Sequence, residues 1–279
     1  MLSQPTTEEI NAYLAEDIGS GDVTAGIIPE TTLATATVLS REKTVLCGRA
    51  WFDAIFHRLD SAITIEWLAD EGQVVDKDTE LCRLQGPARA LLSGERTALN
   101  LLQTLSATAT VARTYADAVA GTGCKVLDTR KTLPGLRMAQ KYAVRCGGCF
   151  NHRIGLYDAV LIKENHIIAA GSIAQAIKTA RNRYDLMVEV EVENMAEFKQ
   201  AIAEKPDRIM LDNFSLEDMR AAVALNAGAV ELEASGNIDL DCIRKVAETG
   251  VNYISIGALT KNIIAIDLSM RIKLDMSDD

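Results

Sequence analysis

Apolar runs and amphipathic segments alternate along the second half of the chain. Beyond Gly123 there are six short apolar runs that each end in polar or small residues, at 126–127, 159–162, 187–192, 209–211, 230–233 and 253–256. Helical patterns lie between them, at 172–183, 195–204, 215–226 and 239–249. Strands and helices that alternate in this way are typical of βα units around a parallel sheet. Six units are fewer than the eight of a full barrel, so we predict an incomplete parallel α/β barrel.

The first part of the chain has a different pattern, in which short alternating strands are mixed with helices. The elements that it predicts are a helix capped by Thr6 or Thr7 at 7–16, strands within 34–48, a helix at 49–60, strands within 63–84, and a long Ala-, Leu- and Thr-rich helix at 87–120. This part is therefore predicted to be a small α+β domain that ends in a long helix.

These patterns divide the chain into three parts. We expect an N-terminal α+β domain with its connecting helix at 1–115, the α/β barrel at 116–265, and a C-terminal segment at 266–279 that packs back on the N-terminal domain.

Composition narrows the class of protein. The chain has 279 residues, 48% hydrophobic and 24% charged, as in ordinary globular proteins. Its apolar runs are too short to cross a bilayer, and 1–16 has no apolar core of a signal peptide. Its net charge of -10 argues against nucleic acid as the main partner. Six scattered cysteines are typical of reduced thiols, so we expect a cytoplasmic protein. Taken together with the short apolar runs and the acidic charge, this predicts neither a membrane nor a nucleic-acid partner.

Two of these cysteines form a C-x-x-C sequence, Cys146-Gly-Gly-Cys149. A zinc site would need a second ligand pair at similar spacing, and the sequence has none. A redox motif would place the first cysteine at the start of a helix that follows a strand. We interpret the Gly-Gly pair as a tight turn and disfavour a redox or metal role.

Positive charge is concentrated between Lys125 and Glu164. This stretch holds eight Lys or Arg residues against three carboxylates, although the chain as a whole is acidic. A solvated basic face is the plain alternative. Arg130 and Lys131 directly follow one predicted strand, however, and Lys163 follows another, and charges at strand ends point into a cleft more often than charges on a helix do. We therefore predict a site for a small polyanion.

Other candidate residues also follow predicted strands, at the end where a parallel barrel opens. The set is Arg130, Lys131, His152, Arg153, Lys163, Glu191, Asp212, Ser235, Gly236 and Gly257. Backbone N–H groups of 235–237 and 257–258 are suited to hold a phosphate. Glu191 and Asp212 are suited to hold Mg²⁺ through water or to stabilise a developing cation, or they only pair with local lysines.

Several common signatures are absent from the sequence. It has no Walker P-loop, no G-x-G-x-x-G after a strand, no H-E-x-x-H and no G-x-S-x-G. The residues by themselves thus lead to a barrel enzyme for an anionic, phosphate-bearing substrate.

Nine segments, in order along the chain, resemble the quinolinate phosphoribosyltransferase family. They are EDIGSGDVT (16–24), LSGERTALN (92–100), DTRKTLPGLR (128–137), NHR (151–153), LIKENH (161–166), EVEVE (189–193), MLDN (210–213), ASGN (234–237) and IGALT (256–260). One departure is Cys149, where the family usually has a third glycine.

The resemblance implies a reaction. A phosphoribosyl group passes from phosphoribosyl pyrophosphate to quinolinate with decarboxylation, which gives nicotinate mononucleotide, CO₂ and pyrophosphate for NAD biosynthesis. It also implies a homodimer in which Arg96 completes the partner's active site, with a higher oligomer left open. Rival hypotheses are a related pyrophosphorylase for another acceptor and a silent barrel that senses a phosphorylated metabolite.

The resemblance also implies a role for each matching residue. Catalysis falls to Glu191, Asp212 and Lys131, with Mg²⁺ at Glu191 and Asp212. The substrate-binding residues would be Arg96, Thr129, Arg130, His152, Arg153 and Lys163. The phosphate-binding residues would be Ser235, Gly236, Asn237, Gly257 and Ala258. Other basic residues of the same stretch, Arg137, Lys141 and Arg145, are expected to be structural or peripheral.

Overall fold

The protein, a computed structural model, is described over residues 4–275 and divides into two compact units. The first unit contains the chain up to Ala112, Met138–Gly147 and the chain from Asn262 onward. The second contains Arg113–Arg137 and Gly148–Lys261. The domain bounds expected from the sequence, 1–115, 116–265 and 266–279, stay a prediction.

The regular elements of the described chain are strands and helices in the following order. The strands are β1 Leu33–Ser40, β2 Thr44–Val45, β3 Thr64–Trp67, β4 Val74–Val75, β5 Glu80–Pro87, β6 Lys125–Leu127, β7 Val160–Ile162, β8 Val188–Val192, β9 Arg208–Asp212, β10 Glu231–Ser235, β11 Tyr253–Ser255 and β12 Leu268–Leu274. The helices are α1 Thr7–Ile18, α2 Arg49–Leu59, α3 Ala88–Ala118, α4 Arg137–Cys146, α5 Glu164–Ala170, α6 Ile173–Arg183, α7 Met195–Ala203, α8 Leu216–Asn226, α9 Ile243–Ala247 and α10 Ala258–Lys261.

The first unit is built on an antiparallel sheet with the order β12-β1-β5-β3. Residues of β1 alternate between buried and more exposed positions, because successive side chains of a strand point to opposite faces. β12 pairs antiparallel with β1, with Val38 opposite Met270. The sequence did not predict this strand. The predicted helix at 87–120 is confirmed as α3, which buries Leu91, Leu99 and Leu102.

The second unit is a parallel sheet of six strands with the order β6-β11-β10-β9-β8-β7. Its strands alternate with helices, as the sequence predicted, and apolar side chains such as Val190, Ile209 and Ala234 are fully buried. Within residues 4–275, the edge strands β6 and β7 form no ladder with each other. The prediction of a mixed α/β fold with six parallel strands is confirmed.

Several element bounds differ from the prediction for local reasons. The predicted helix at 239–249 is shorter, because the carboxylate of Asp239 accepts the backbone N–H groups of Asp241 and Cys242 and holds a turn before α9 begins. The short helices α5 and α10 and the helix α4 were not predicted. Between residues 4 and 275, no helix is both long enough and apolar enough to cross a membrane.

The structure gives the two cysteines of the C-x-x-C sequence different surroundings. Gly147 and Gly148 form a turn, with Gly148 at φ 96°, so the predicted tight turn is confirmed. Cys146 ends α4 and hydrogen-bonds Cys47 of the first unit. Cys149 is buried in the second unit, and burial raises the pKa of its thiol to about 12.

Candidate functional site

A cavity of about 440 Å³ lies at the carboxyl ends of the parallel strands. Its lining residues come from all six strands or the loops that follow them, and from the loop before β7. They are Thr129, Arg130, Lys131, His152, Arg153, Leu161, Lys163, Glu191, Met210, Asp212, Ser235 and Ser255. This is the end of a parallel barrel at which loops converge and active sites form.

Nine of the residues singled out in the sequence lie together in this cavity. They are Thr129, Arg130, Lys131, His152, Arg153, Lys163, Glu191, Asp212 and Ser235. Four others follow β10 and β11 without lining the cavity: Gly236, Asn237, Gly257 and Ala258. Arg96 is not among the lining residues, since it lies in the first unit, exposed on α3.

Arg130 and Arg153 are two neighbouring guanidinium groups of the cavity. Burial, and then the positive charge of Arg130, lower the pKa of Arg153, although Glu189 and Asp158 act in the opposite direction. The Nε atom of Arg130 is buried and has no hydrogen-bond partner among residues 4–275. Two like charges repel each other in an empty cavity, and a buried donor without a partner is unfavourable. A bound anion would relieve both, so this arrangement favours a cavity that holds an anion.

His152 lines the same cavity and lies against two buried carboxylates. Its Nε2 atom is 2.9 Å from Glu189 and 3.4 Å from Glu233. Burial by itself opposes a charge on the ring, but the two carboxylates outweigh burial and raise the pKa of His152 to about 9. Arg208 neutralises part of this cluster through a 3.1 Å ion pair with Glu233.

A second contact of His152 acts against the charged ring. The backbone N–H of Arg153 donates to Nδ1 at 2.8 Å, which favours the neutral form. This contact is a single neutral hydrogen bond, worth about 1 kcal/mol, whereas the two carboxylates outweigh even the burial of the ring. We therefore assign the charged ring at neutral pH.

The carboxylates Glu191 and Asp212 lie at the ends of β8 and β9. Glu191 accepts a short hydrogen bond from the Nζ of Lys163. Asp212 accepts a 2.8 Å hydrogen bond from the side-chain amide of Asn213. Negative charge accumulates at these strand ends. It is reflected in the raised pKa of the exposed Glu193, which is due first to Glu164 and then to burial, Glu197, Asp212 and Glu191.

Two glycines at the ends of β10 and β11 leave room for close approach. Gly236 has φ 95°, and a Cβ there would lie 2.2 Å from Oδ1 of Asn213. A Cβ at Gly257 would lie 3.0 Å from Cδ of Lys131. Asn237 donates to Asn213 at 3.2 Å. Backbone N–H groups on these turns are suited to bind phosphate oxygens.

Three residues that position the lining groups were missed as site residues. Asp128 is buried and accepts hydrogen bonds from the side chain of Asn151, at 2.7 Å, and from the backbone of His152, at 2.9 Å. Arg137, which was expected to be structural or peripheral, donates to the carbonyl groups of Arg130 and Ile154. Asn213 links Asp212 to Asn237. All three fall inside or beside the motif segments, which was the only signal for them.

A larger cavity, of about 880 Å³, lies at the opposite, amino ends of the strands. Met187, Asp207 and Glu231 are among its lining residues. Within the described chain, the residues that line this cavity include a single lysine or arginine, Lys205, and three carboxylates. Chemistry in parallel barrels occurs at the carboxyl ends, so the smaller, cationic cavity is the candidate site.

Two family models match almost the whole chain. The quinolinate phosphoribosyl transferase N-terminal domain matches residues 22–106, and the quinolinate phosphoribosyl transferase C-terminal domain matches residues 108–271. The second of these models alone covers more than half of the chain.

Relatives named nicotinate-nucleotide pyrophosphorylase are similar over most of their lengths. A probable nicotinate-nucleotide pyrophosphorylase [carboxylating] of Bacillus subtilis is 42% identical over 95% of this chain and 92% of its own. A chloroplastic nicotinate-nucleotide pyrophosphorylase [carboxylating] of Oryza sativa is 40% identical over 96% of this chain and 78% of its own. The solved nicotinate-nucleotide pyrophosphorylase of Francisella tularensis is 49% identical, covers 96% of this chain and 95% of its own, and superposes with a TM-score of 0.92.

Proposed function

This chain belongs to the quinolinate phosphoribosyl transferase family, and we propose that the cavity at the carboxyl ends of its parallel strands is the place where it transfers a phosphoribosyl group to quinolinate. The donor is phosphoribosyl pyrophosphate, and decarboxylation gives nicotinate mononucleotide for NAD biosynthesis. The observation that carries this location is the pair of Arg130 and Arg153, close together beside the carboxylates Glu191 and Asp212.

The cationic side chains bind the dicarboxylate of quinolinate in this proposal. Arg130 and Arg153 offer planar donor groups that match a carboxylate in two-point contact. Lys163 adds positive charge and Thr129 contributes a hydroxyl. His152, whose two ring nitrogens face carboxylates and the backbone of Arg153, adds charge only. Support comes from the unused Nε donor of Arg130 and the mutual repulsion of the two guanidinium groups, both of which a bound carboxylate would relieve.

Glu191 and Asp212 act on the sugar. When pyrophosphate separates from ribose, positive charge develops at the anomeric carbon, and nearby carboxylates stabilise that charge. Lys163 pairs with Glu191 and holds it at the end of β8. Lys131 is the cation that balances negative charge on the departing pyrophosphate.

The phosphate of the ribose binds at the turns after β10 and β11. The residues assigned to it are Ser235, Gly236, Asn237, Gly257 and Ala258. Gly236 supports the assignment, because its lack of a side chain and its positive φ let backbone N–H groups approach a ligand closely.

Glu191 and Asp212 also fit the Mg²⁺ that the family implies. Mg²⁺ prefers oxygen ligands and keeps several of its waters, and these carboxylates are partly exposed at the cavity. The raised pKa of Glu193 is consistent with a surplus of negative charge at these strand ends. When bound, Mg²⁺ would neutralise the charge of pyrophosphate oxygens.

Decarboxylation depends on how the pyridine ring of quinolinate is bound. Once the ring nitrogen is bonded to ribose it is quaternary, so it stabilises the electron pair left on the ring carbon when CO₂ departs, and a proton from water then bonds to that carbon. The protein's own task is to keep the ring fixed while this happens, which the arginines do by binding the dicarboxylate.

We further propose a homodimer in a cytoplasmic setting. Arg96 is exposed on α3 and is not needed for any ion pair found in the described chain, so it is available to a second subunit. The six cysteines are all free, as is usual in a reducing compartment.

A single assay tests the activity and its acceptor. The purified protein is mixed with phosphoribosyl pyrophosphate, Mg²⁺ and quinolinate, and CO₂ and nicotinate mononucleotide are measured. Nicotinate and nicotinamide serve as comparison acceptors. Of the three acceptors, we expect only quinolinate to give product, since only a dicarboxylate binds both arginines. Turnover of nicotinate at an equal rate, or no turnover of any acceptor, would count against the proposal.

A further inference from the structure

The first unit contains a cluster of potential metal ligands at Cys47, Glu71 and Cys146. The two sulfur atoms and a carboxylate oxygen all lie within 4.8 Å of one another. Cys47 is fully buried, and the other two are half-buried. They come from three separate places in the chain: the turn after β2, the turn between β3 and β4, and the end of α4. Nothing in the proposed reaction uses them.

Each member of the cluster is held by contacts that do not depend on the others. The backbone N–H of Cys47 donates to Ser106 Oγ at 3.0 Å, and Ser106 donates back to the Cys47 carbonyl at 3.1 Å. Glu71 accepts the backbone N–H groups of Gly48, at 2.8 Å, and Arg49, at 3.2 Å. A site whose groups are already in place loses little entropy when an ion binds.

Cys146 is held through its helix. On α4, Tyr142 packs against Trp51 with ring centroids 5.5 Å apart, and Gln140 donates to Thr108 Oγ1 at 3.5 Å. The hydroxyl group of Tyr142 hydrogen-bonds Cys146. The phenol is therefore a fourth donor atom next to the three ligands.

We propose that Cys47, Cys146 and Glu71 bind a thiophilic divalent cation of the Zn²⁺ class, with water or Tyr142 in the fourth position. Sulfur ligands select such ions over Mg²⁺, and four-coordinate sites with cysteine and carboxylate ligands suit Zn²⁺. With Zn–S bonds of about 2.3 Å, tetrahedral ligand atoms lie about 3.8 Å apart, which is within the span of this cluster.

The charges around the cluster also favour a cation. The pKa of Cys146 is lowered, chiefly by its hydrogen bond with Cys47, and the pKa of Cys47 is raised, chiefly by burial; the negative charge of Glu71 acts to raise both. Arg145 is the cation that acts on Cys146 in the opposite direction. A bound dication would reverse this balance and deprotonate the thiols.

A disulfide between Cys47 and Cys146 is the competing use of these residues. A disulfide would join the two sulfur atoms and would not explain why the carboxylate of Glu71 lies beside them. Capping of α2 by Glu71 is compatible with metal binding, because each carboxylate oxygen has a second lone pair.

The test is metal binding by the intact protein. The reduced protein is freed of metal, Co²⁺ is added alone, and thiolate-to-cobalt charge-transfer absorption is recorded; Zn²⁺ affinity follows by competition with a chromogenic chelator. We expect one ion per chain. Since losing an outer partner already costs about 10–100-fold in affinity, Cys146→Ser and Glu71→Gln should each weaken Zn²⁺ binding by at least about 100-fold.

Matched variants separate this site from others. Cys242→Ser removes another half-buried, free thiol and should leave Zn²⁺ affinity unchanged. Glu191→Gln removes the proposed Mg²⁺ ligand and should also leave it unchanged, so failure of the proposed catalytic function would not be confused with failure here. Circular dichroism checks that each variant is folded.

Three outcomes would overturn the inference. The first is that the wild-type protein binds no stoichiometric Co²⁺ or Zn²⁺. The second is that Cys146→Ser or Glu71→Gln binds Zn²⁺ as tightly as the wild type. The third is that mass spectrometry finds Cys47 and Cys146 as a disulfide that reforms after reduction in air while no metal is bound.

Discussion

Each basic side chain of the cavity has different neighbours, and those neighbours set its role. Arg130 has an unused buried donor, whereas Lys163 is paired with Glu191. The Nε2 atom of His152 faces two carboxylates. The sequence placed these cations in one group, because formal charge does not depend on surroundings. Their division into anion-binding and carboxylate-positioning groups depends on atoms that are distant in the chain.

The first prediction concerns Arg130. Arg130→Ala should raise the KM for quinolinate by roughly 10- to 100-fold, because hydrogen bonds to a charged group are worth about 1.5–3 kcal/mol. The KM for phosphoribosyl pyrophosphate should change much less. Steady-state kinetics with each substrate varied in turn measures this difference.

Arg220→Ala is the control for that prediction, because Arg220 is exposed on α8 and lies outside the cavity. Its kinetics should match those of the wild type. Arg130→Lys should lie between the two, since lysine keeps the charge and loses the planar pair of donors. An Arg130→Ala enzyme with normal turnover at low quinolinate would refute the assignment.

The second prediction concerns the pH dependence of stability. Burial opposes the charged ring, but Glu189 and Glu233 raise the pKa of His152 from 6.5 to about 9 in the folded protein, with Arg208 as the cation that faces Glu233. A raised histidine pKa stabilises the fold fully below the unfolded pKa, and the effect is lost as pH rises through the folded pKa. The contribution of His152 should therefore fall by about 2 kcal/mol between pH 7 and pH 9.5.

Denaturant unfolding at the two pH values measures this fall. His152→Gln should be less stable than the wild type at pH 7, and its free energy of unfolding should depend less on pH across this window. Groups that do not contact His152 titrate equally in both proteins and cancel in the comparison, whereas the titration of Glu189 and Glu233 changes with it. Equal pH slopes for the two proteins would mean that His152 is neutral in the folded state.

At the scale of elements, the strand ends and the helix starts act together. The helices α6, α7 and α8 are capped by Ser172, Asn194 and Ser215, each of which accepts backbone N–H groups of the first turn. The caps that follow β8 and β9 make the turns from strand to helix short and fix where each strand ends. Glu191 and Asp212 are thereby fixed at the cavity.

The third prediction concerns the turn after β10. Gly236→Ala would place a Cβ 2.2 Å from Asn213 Oδ1, at a backbone φ of 95°. The strained φ alone costs of order 1–3 kcal/mol. We expect a raised KM for phosphoribosyl pyrophosphate as well, because Asn213 must move and it contacts both Asp212 and Asn237.

Gly228→Ala is a matched control, since Gly228 also has a positive φ, of 79°, and a Cβ there meets no atom within 4 Å. It should show the backbone cost in thermal unfolding without the change in KM. If both variants keep the wild-type KM, the turn after β10 does not bind the phosphate.

At the scale of the whole molecule, charge is distributed unevenly. The chain has a net charge of -10, yet the cavity collects two arginines, two lysines and a charged histidine. Substrates that carry carboxylates and phosphates thus meet local positive charge on an otherwise acidic protein. All of the lining residues come from the second unit, and Arg96 belongs to the first.

The fourth prediction tests whether subunits share their active sites. Arg96→Ala and Glu191→Ala proteins should each be inactive, and hybrids of the two should regain activity. Each hybrid dimer has one site with both native residues, so random exchange should restore about a quarter of the wild-type activity. The proteins are mixed under conditions that exchange subunits and then assayed.

Mixing two portions of the same variant gives the baseline for that experiment. A mixture that stays at baseline, although mass spectrometry detects the hybrid dimer, would rule out a shared site. An active Arg96→Ala protein would show that Arg96 is not needed at all.

The sequence by itself determined the order and type of most elements, because hydrophobic periodicity is a local property of the chain. The alternation beyond Gly123 predicted six parallel strands, and polar residues at their ends predicted the cavity. Other elements could not be predicted from the local pattern. β12 exists because β1 offers an edge with which it can pair, and no local pattern shows that edge.

Only the tertiary structure decided which distant residues meet. It set Glu189 and Glu233 on two strands against His152, and so fixed the charge of that ring. It brought Cys146 next to Cys47, so the cysteine that the sequence grouped with Cys149 has a different neighbour. Contacts of this kind depend on packing between elements far apart in the chain, and side-chain periodicity within one element carries no information about them.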